Sequence, residues 1–192
     1  EVYKIIKSKI ENTNKDKICG FVGDLNNMET SFIFKEFFDR TIGINNYESR
    51  SSQTFVDTSS RENYLFNSQI NGIEESDLIL LIGTNPRFEA TIVNARIRKS
   101  YLANNLEIFS FGDVGDLTYP YKIIKNETEV IKNIIEHKHE LSSKIKNAQR
   151  PIIILGQSVL KMQSGQYIFE ELKKYLTSIN KISKEWNSLN II

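Results

Sequence analysis

The chain has one cysteine, two histidines and three prolines in 192 residues, and each scarcity removes a class of function. Cys19 stands alone, so no intrachain disulfide can form, and an iron–sulfur cluster, which takes about four thiolates, cannot be held by this chain. Two histidines leave little material for acid/base chemistry. No G-x-S-x-G, H-E-x-x-H, C-x-x-C or G-x-x-x-x-G-K-[ST] pattern occurs. Long apolar runs are missing too. The longest, Leu78 to Ile82, is strand-sized and far short of the ~18 residues that span a bilayer, so a soluble or peripheral chain without direct membrane insertion is expected. An excess of one charge is also lacking: 25 Lys+Arg against 24 Asp+Glu give +1, too little to hold a nucleic-acid backbone. The chain starts at Glu1 without a signal-peptide pattern, as expected of a processed product or a part of something longer.

What is present is ordinary globular material, 40% hydrophobic and 26% charged, enough for one large domain or two lobes, with 1–125 and 126–192 as the possible division. One arrangement recurs: a β-branched apolar run, a glycine turn, then a segment of helical period. Its first copy is Lys17 to Asp24, leading to a helix over Asn26–Arg40 with Ile33, Phe34, Phe37 and Phe38 as its stripe. The second is Asp77 to Pro86, leading to a helix with Ala90, Val93, Ile97 and Tyr101 on one side. Pro86 suits its first turn, where the missing N–H has no intrahelical partner. The third is Pro151 to Ser158, followed by Ile168, Leu172, Tyr175, Leu176 and Ile179. Unbroken apolar strands fit a parallel sheet covered on both faces, so the expected fold is α/β, doubly wound and mostly parallel. A further strand is expected at Leu106–Phe111, and helices at Val2–Ile10, Arg61–Ile70 and Thr128–Ile145, the last broken near His137. The stretches Gly43–Ser60 and Gly112–Tyr121 are irregular, and they are where a site would lie, since ligands of open parallel sheets bind beyond the strands' carboxyl ends.

The turns at Gly23, Gly83 and Gly156 could cradle phosphate, but none has the G-x-G-x-x-G spacing, and structural turns fit them better. His137 and His139 are two apart and cannot easily share a metal on a helix, so surface histidines are expected. Cys19 falls in a strand expected to be buried, where it acts as a small hydrophobe. Arg87, Arg96, Arg98 and Lys99 make the helix after Gly83 cationic, either as a solvated face or as an interface.

The segment from Gly72 through Glu74-Glu75-Ser76-Asp77, the strand, and Gly83-Thr84-Asn85-Pro86-Arg87-Phe88-Glu89-Ala90 to Asn94-Ala95-Arg96-Ile97-Arg98-Lys99 closely resembles the large iron–sulfur subunit of respiratory complex I. Gly23-Asp24-Leu25, Arg61-Glu62-Asn63-Tyr64-Leu65, Asp116-Leu117-Thr118-Tyr119, Leu155-Gly156 and Trp186-Asn187 extend the likeness over most of the chain. The resemblance is to that subunit's carboxyl-terminal domain, which is related to molybdopterin oxidoreductases such as formate dehydrogenase. It implies their fold, with the iron–sulfur clusters in a partner module rather than here.

In catalytic relatives the counterpart of Asn45–Gln53 carries a Cys or selenocysteine near molybdenum. Here Ser51, Ser52 and Gln53 stand without Cys or His, and Thr91 stands where proline is usual. The resemblance therefore implies a non-catalytic structural domain without cofactor, metal or catalytic residues, Gly23, Gly83 and Gly156 being vestigial. Its partners would be other peripheral-arm subunits of complex I, through Arg87, Arg96, Arg98, Lys99 and the Gly43–Ser60 loop. Plentiful Ile, Lys and Asn fit an AT-rich genome such as a mitochondrial or reduced bacterial one, and the resemblance implies the matrix side of the mitochondrial inner membrane or, alternatively, the cytoplasmic face of a bacterial one. A pterin- or nucleotide-binding oxidoreductase domain using the glycine turns is the alternative function.

Overall fold

The computed structural model describes residues 1–23, 25–49 and 54–192 and divides into two compact units, Glu1–Gln53 and Thr54–Ile192. The first contains helix α1 (Val2–Glu11), strand β1 (Gly20–Phe21), helix α2 (Met28–Glu36) running into a wide π-type turn (Phe37–Ile42), and strand β2 (Tyr47–Glu48), parallel to β1. Its centre is aromatic. Phe38 stacks with Phe34 at 4.6 Å and meets Tyr47 edge-on at 6.0 Å. Gly20 fits beneath because it lacks a side chain, since a Cβ there would come within 2.4 Å of the Phe38 ring.

The expected strand over Lys17–Asp24 is thus only two residues long and lies outside the main sheet, and Cys19, just before it, is exposed rather than buried. The apolar run Ile18–Val22 is interrupted by Gly20, which leaves too little side chain to hold a covered strand. Of the stripe expected on the following helix, Phe38 is buried, but Ile33 and Phe37 are exposed.

The second unit contains short helix α3 (Gln69–Gly72), strand β3 (Leu78–Ile82), helices α4 (Pro86–Glu89) and α5 (Thr91–Ala103), strands β4 (Glu107–Phe111) and β5 (Lys122–Ile124), helices α6 (Thr128–Ile135) and α7 (Glu140–Asn147), strand β6 (Pro151–Leu155), helices α8 (Gln157–Leu160) and α9 (Gly165–Ser178), and strand β7 (Leu189–Ile191). The five strands form one parallel sheet in the order β5-β4-β3-β6-β7. From β3 the chain winds outward one way to β4 and β5, then crosses back to β6 and β7. This reversal is the doubly wound topology that the uninterrupted apolar strands imply. The division expected at 125/126 is not where the units part, because β3 pairs with β6 across it from Leu78–Pro151 to Ile82–Leu155.

Both faces are covered. Leu78, Leu80 and Ile82 point with Ile153 and Leu155 into a core completed by α6, α7 and α9. Ile79 and Leu81 point with Ile152 and Ile154 to the other, under α5. At about 1.5–3 kcal/mol per buried aliphatic side chain, the central strands alone outweigh every surface ion pair. Asp77 sets the pairing register: its carboxylate accepts the Gln149 N–H at 2.6 Å and the Arg150 N–H at 3.0 Å, fixing the entry of β6 beside β3.

The expected break near His137 is present, with His137 at φ 60°, between α6 and α7. Arg61–Ile70 is not one helix: it holds a 3-10 turn at Arg61–Asn63 and only the start of α3. Asn63 explains this, because its buried side chain is held by Asp57 at 2.8 Å and by Lys173 at 2.6 Å, contacts that a continuous helix would not allow.

Candidate functional site

The crevice of a doubly wound sheet opens where the strand order reverses, here beyond the carboxyl ends of β3 and β6. Gly83 and Gly156 both end up there. They face each other so closely that a Cβ on Gly156 would lie 2.2 Å from the Gly83 carbonyl oxygen and 2.5 Å from the Thr84 Cβ. The Gly156 N–H donates to the Ile82 carbonyl at 2.9 Å, and the Ser158 hydroxyl donates to the Gly83 carbonyl. Gly83 takes φ 64°, which glycine adopts without strain. Backbone is packed on backbone between these two turns, and a cavity of about 180 Å³ remains that is lined by Gly83, Asn126, Thr128 and Ser158.

The turn after β3 is also filled by the chain. Asn85 caps α4 by accepting the Arg87 N–H at 3.0 Å. Glu89 folds back so that its carboxylate accepts the Asn85 N–H and the Thr84 hydroxyl, both at 3.0 Å. A negative charge of the protein itself occupies the donors a phosphate would use. Sequence reading missed this, although an Asn-Pro cap followed by a glutamate in the first turn is a readable capping signal.

Gly23 belongs to the other unit, where its carbonyl accepts from Asn26 at 3.1 Å. The three turns are therefore of two kinds. Asp24 and Ser51, Ser52 and Gln53 lie outside the described residues, and so does Arg50.

The four cations on the α4–α5 segment are engaged inside the chain. Arg87 pairs with Asp116 and also donates to its backbone carbonyl at 2.8 Å. Arg96 and Lys99 converge on Glu74, and Arg98 donates to the Thr118 carbonyl at 3.2 Å. Hydrogen bonds from Lys99 and then Arg96 hold the Glu74 carboxyl below its ordinary value. The Thr118 N–H and then Arg87 do the same to Asp116.

The neutral members act similarly. Asn85 donates to the Val114 carbonyl at 2.7 Å, and buried Asn94 donates to the Leu117 carbonyl at 3.2 Å while accepting the Tyr119 hydroxyl at 2.7 Å. Burial drives the Tyr119 phenol well above its ordinary value. Asn85, Arg87, Asn94 and Arg98 thus form a clamp on the 113–119 loop, which takes an unusual path with Gly115 at φ 79° and Thr118 at φ 72°. Of the residues that carry the sequence signature, Asn85, Arg87, Asn94 and Arg98 hold a loop in place, whereas Phe88 is exposed.

The molybdopterin oxidoreductase family model matches residues 1–192, the whole chain. The chain belongs to this family. Among its relatives, an NADH-quinone oxidoreductase component from Rickettsia bellii is 33% identical over 192 residues, covering all of this chain and 28% of the relative. The NADH-ubiquinone oxidoreductase 75 kDa subunit of Reclinomonas americana is 33% identical over 98% of the chain and 29% of its own length. The mitochondrial NADH dehydrogenase [ubiquinone] iron-sulfur protein 1 of Solanum tuberosum is 29% identical over 98% of the chain and 25% of its own length. The chain spans less than a third of each of these relatives.

The family name implies a molybdenum-bearing pterin, and the turn after β3 does not fit its phosphate. There the Glu89 carboxylate already accepts from the Thr84 hydroxyl and the Asn85 N–H and would repel a pyrophosphate. Among the described residues no group of three or more His, Cys, Asp or Glu is arranged to hold a metal ion. His137 stacks on Tyr175 at 5.3 Å, while His139 caps α7 by accepting the Leu141 N–H.

Proposed function

We propose that this chain is a non-catalytic structural domain of the peripheral arm of respiratory complex I. It would support NADH-to-quinone electron transfer carried by neighbouring iron–sulfur modules. The observation that carries this reading is the turn after β3, where the Glu89 carboxylate takes the anion's place on the Thr84 hydroxyl and the Asn85 N–H. Likeness to complex I subunits over 98–100% of the chain supplies the setting. The partners are other peripheral-arm subunits, with the iron–sulfur module of the same subunit among them if the subunit is split. The location is the matrix side of the mitochondrial inner membrane, or the cytoplasmic side of a bacterial one. Among the described residues no helix is long and apolar enough to cross a membrane. Because the α4–α5 cations are engaged within the chain, subunit contacts at Arg87, Arg96, Arg98 and Lys99 would have to share or break those pairs.

The test is isolation of the membrane complex through a tag on this chain, followed by metal and pterin analysis. NADH:quinone activity should co-purify with the chain, and molybdenum and pterin should be far below one per chain. Stoichiometric molybdenum or a released pterin would overturn the reading.

A further inference from the structure

The second unit holds a polar cavity at the opposite end of the sheet from the switch point, where Glu75 precedes β3 and Arg150 precedes β6. Its volume is about 190 Å³. That is less than the ~300 Å³ at which drug-sized pockets begin, so it suits a small molecule or the end of a longer one. Trp186 forms one wall. Its indole N–H is spent on the Pro151 carbonyl at 3.0 Å and the Ser188 hydroxyl at 3.1 Å, and Gly72 leaves room for the ring, since a Cβ there would come within 3.4 Å of it. The Arg150 guanidinium lies over that ring, 5.4 Å from its centroid, and pairs with Glu75.

The lining has spent most of its donors and kept its acceptors. Asn67 gives both amide hydrogens to its own chain, to the Glu62 and Leu189 carbonyls at 2.7 Å each, which leaves its side-chain oxygen over. The Ser68 hydroxyl donates to the Asn187 carbonyl at 2.8 Å. Asn187 is the exception: its side-chain oxygen accepts the Leu189 N–H at 3.0 Å, and its amide hydrogens remain. The Gln69 and Asn71 amides, which can accept or donate, make no side-chain hydrogen bond among the described residues. Glu185 has neither an ion pair nor a side-chain hydrogen bond among the described residues, and Lys184 beside it does not line the cavity. With Arg150 offset by Glu75, the unopposed charge of the lining is therefore the Glu185 carboxylate.

We propose that this cavity binds an alkylammonium group, held by Glu185 and the Asn67 side-chain oxygen beside the Trp186 ring. An ammonium brings three donors and no acceptor, the complement of this lining. A carboxylate is a poorer match, because Glu185 opposes it and Arg150 is already paired. The same group could be carried by a free diamine or by a lysine of a neighbouring chain. The site stands apart from the complex I reading.

Trp186 is the only tryptophan, so its emission reports on the cavity. The full chain is titrated with 1,4-diaminobutane at constant ionic strength, and a saturable change in emission is expected. Glu185→Gln should raise the midpoint roughly tenfold, the loss of one charge-assisted hydrogen bond, while leaving thermal unfolding unchanged. Arg150→Gln should lower the midpoint, since it removes a competing cation. Tetramethylammonium, which has the charge but no N–H, should give no saturable change. Absence of saturation, an equal response to tetramethylammonium, or a response to acetate that Arg150→Gln abolishes would each overturn the site. The source of the ammonium is read by carbodiimide treatment of freshly lysed cells, which couples a carboxylate to an amine seated against it. A diamine-sized mass on the Glu185 peptide identifies a free ligand, and a lysine peptide of another chain joined to it identifies a neighbour. Glu185 coupled to neither would count against the site.

Discussion

Gly156 carries more of the second unit's geometry than any charged residue. Alanine there would force its Cβ against the Gly83 carbonyl and the Thr84 side chain, at distances no real contact reaches. Either β3 and β6 part at their carboxyl ends or the Gly83 turn moves. We expect Gly156→Ala to destabilise the second unit by about 1–3 kcal/mol, the usual cost of overpacking, measured by urea denaturation. Serine at 158 would lose its bond to the Gly83 carbonyl in the same variant, and the turn at Glu89 would loosen with it. At this scale the sequence was readable for position and unreadable for partner. That Gly83 and Gly156 each end a strand follows from their places after apolar runs, but that they touch depends on β3 lying beside β6, which no local pattern encodes.

Among the elements, α5 joins the sheet to the 113–119 loop through buried Asn94. Asn94→Ala removes the partner of the Tyr119 hydroxyl, which is buried and cannot turn to water. A loss of about 1–3 kcal/mol is expected, with increased amide exchange confined to the loop and α5. Tyr119→Phe should recover part of it in the double variant, because no orphaned hydroxyl then remains.

The strands β3 and β6 were legible because fully covered strands are apolar throughout, β4 because Ile108, Phe109 and Phe111 outweigh Glu107 and Ser110, and α9 because its stripe repeats every three to four residues. Strands β5 and β7 were not. Lys122-Ile123-Ile124 sits at one sheet edge and is largely exposed, while Leu189-Asn190-Ile191 carries a buried asparagine that reads as loop until its bond to the Ser68 N–H at 2.8 Å is seen. The signature helix was legible as a helix but not as a clamp, since its partners lie 20 to 30 residues away.

On the scale of the whole molecule, the two units differ in how much core they own. Residues 54–192 contain both faces of the sheet, and among the described residues of the first unit only Phe38 and Ile42 are buried large apolar side chains. A fragment of residues 54–192 should therefore fold cooperatively and retain most of the full chain's melting temperature. Residues 1–53 alone should show no cooperative transition by circular dichroism.

The second unit also has a defined acid limit. Glu74, Glu107, Asp113 and Asp116 all titrate below their ordinary values, held by Lys99, Lys122, the Gly115 N–H and the Thr118 N–H respectively as the leading causes. Their stabilisation is complete above the unfolded carboxyl values of about 3.9–4.3 and is lost as pH falls through the lower folded values. In that window the unfolded chain binds more protons than the folded one. Melting temperature should therefore be flat near neutrality and drop below about pH 4, and 1 M salt should weaken the dependence because these groups are exposed.

The parallel pairing of β3 with β6 joins residues 73 positions apart, since Leu78 aligns with Pro151. During synthesis the most apolar strand of the sheet is thus complete long before one of its two neighbours exists. A nascent chain that has passed Phe111 but not reached Leu155 has one edge of Leu78–Ile82 open, five apolar residues in a row with free backbone donors and acceptors. Ribosome-stalled chains ending between those points should bind Hsp70-type chaperones, and release should coincide with the emergence of β6. The interval between the second and third apolar runs then sets how long the growing chain must be shielded.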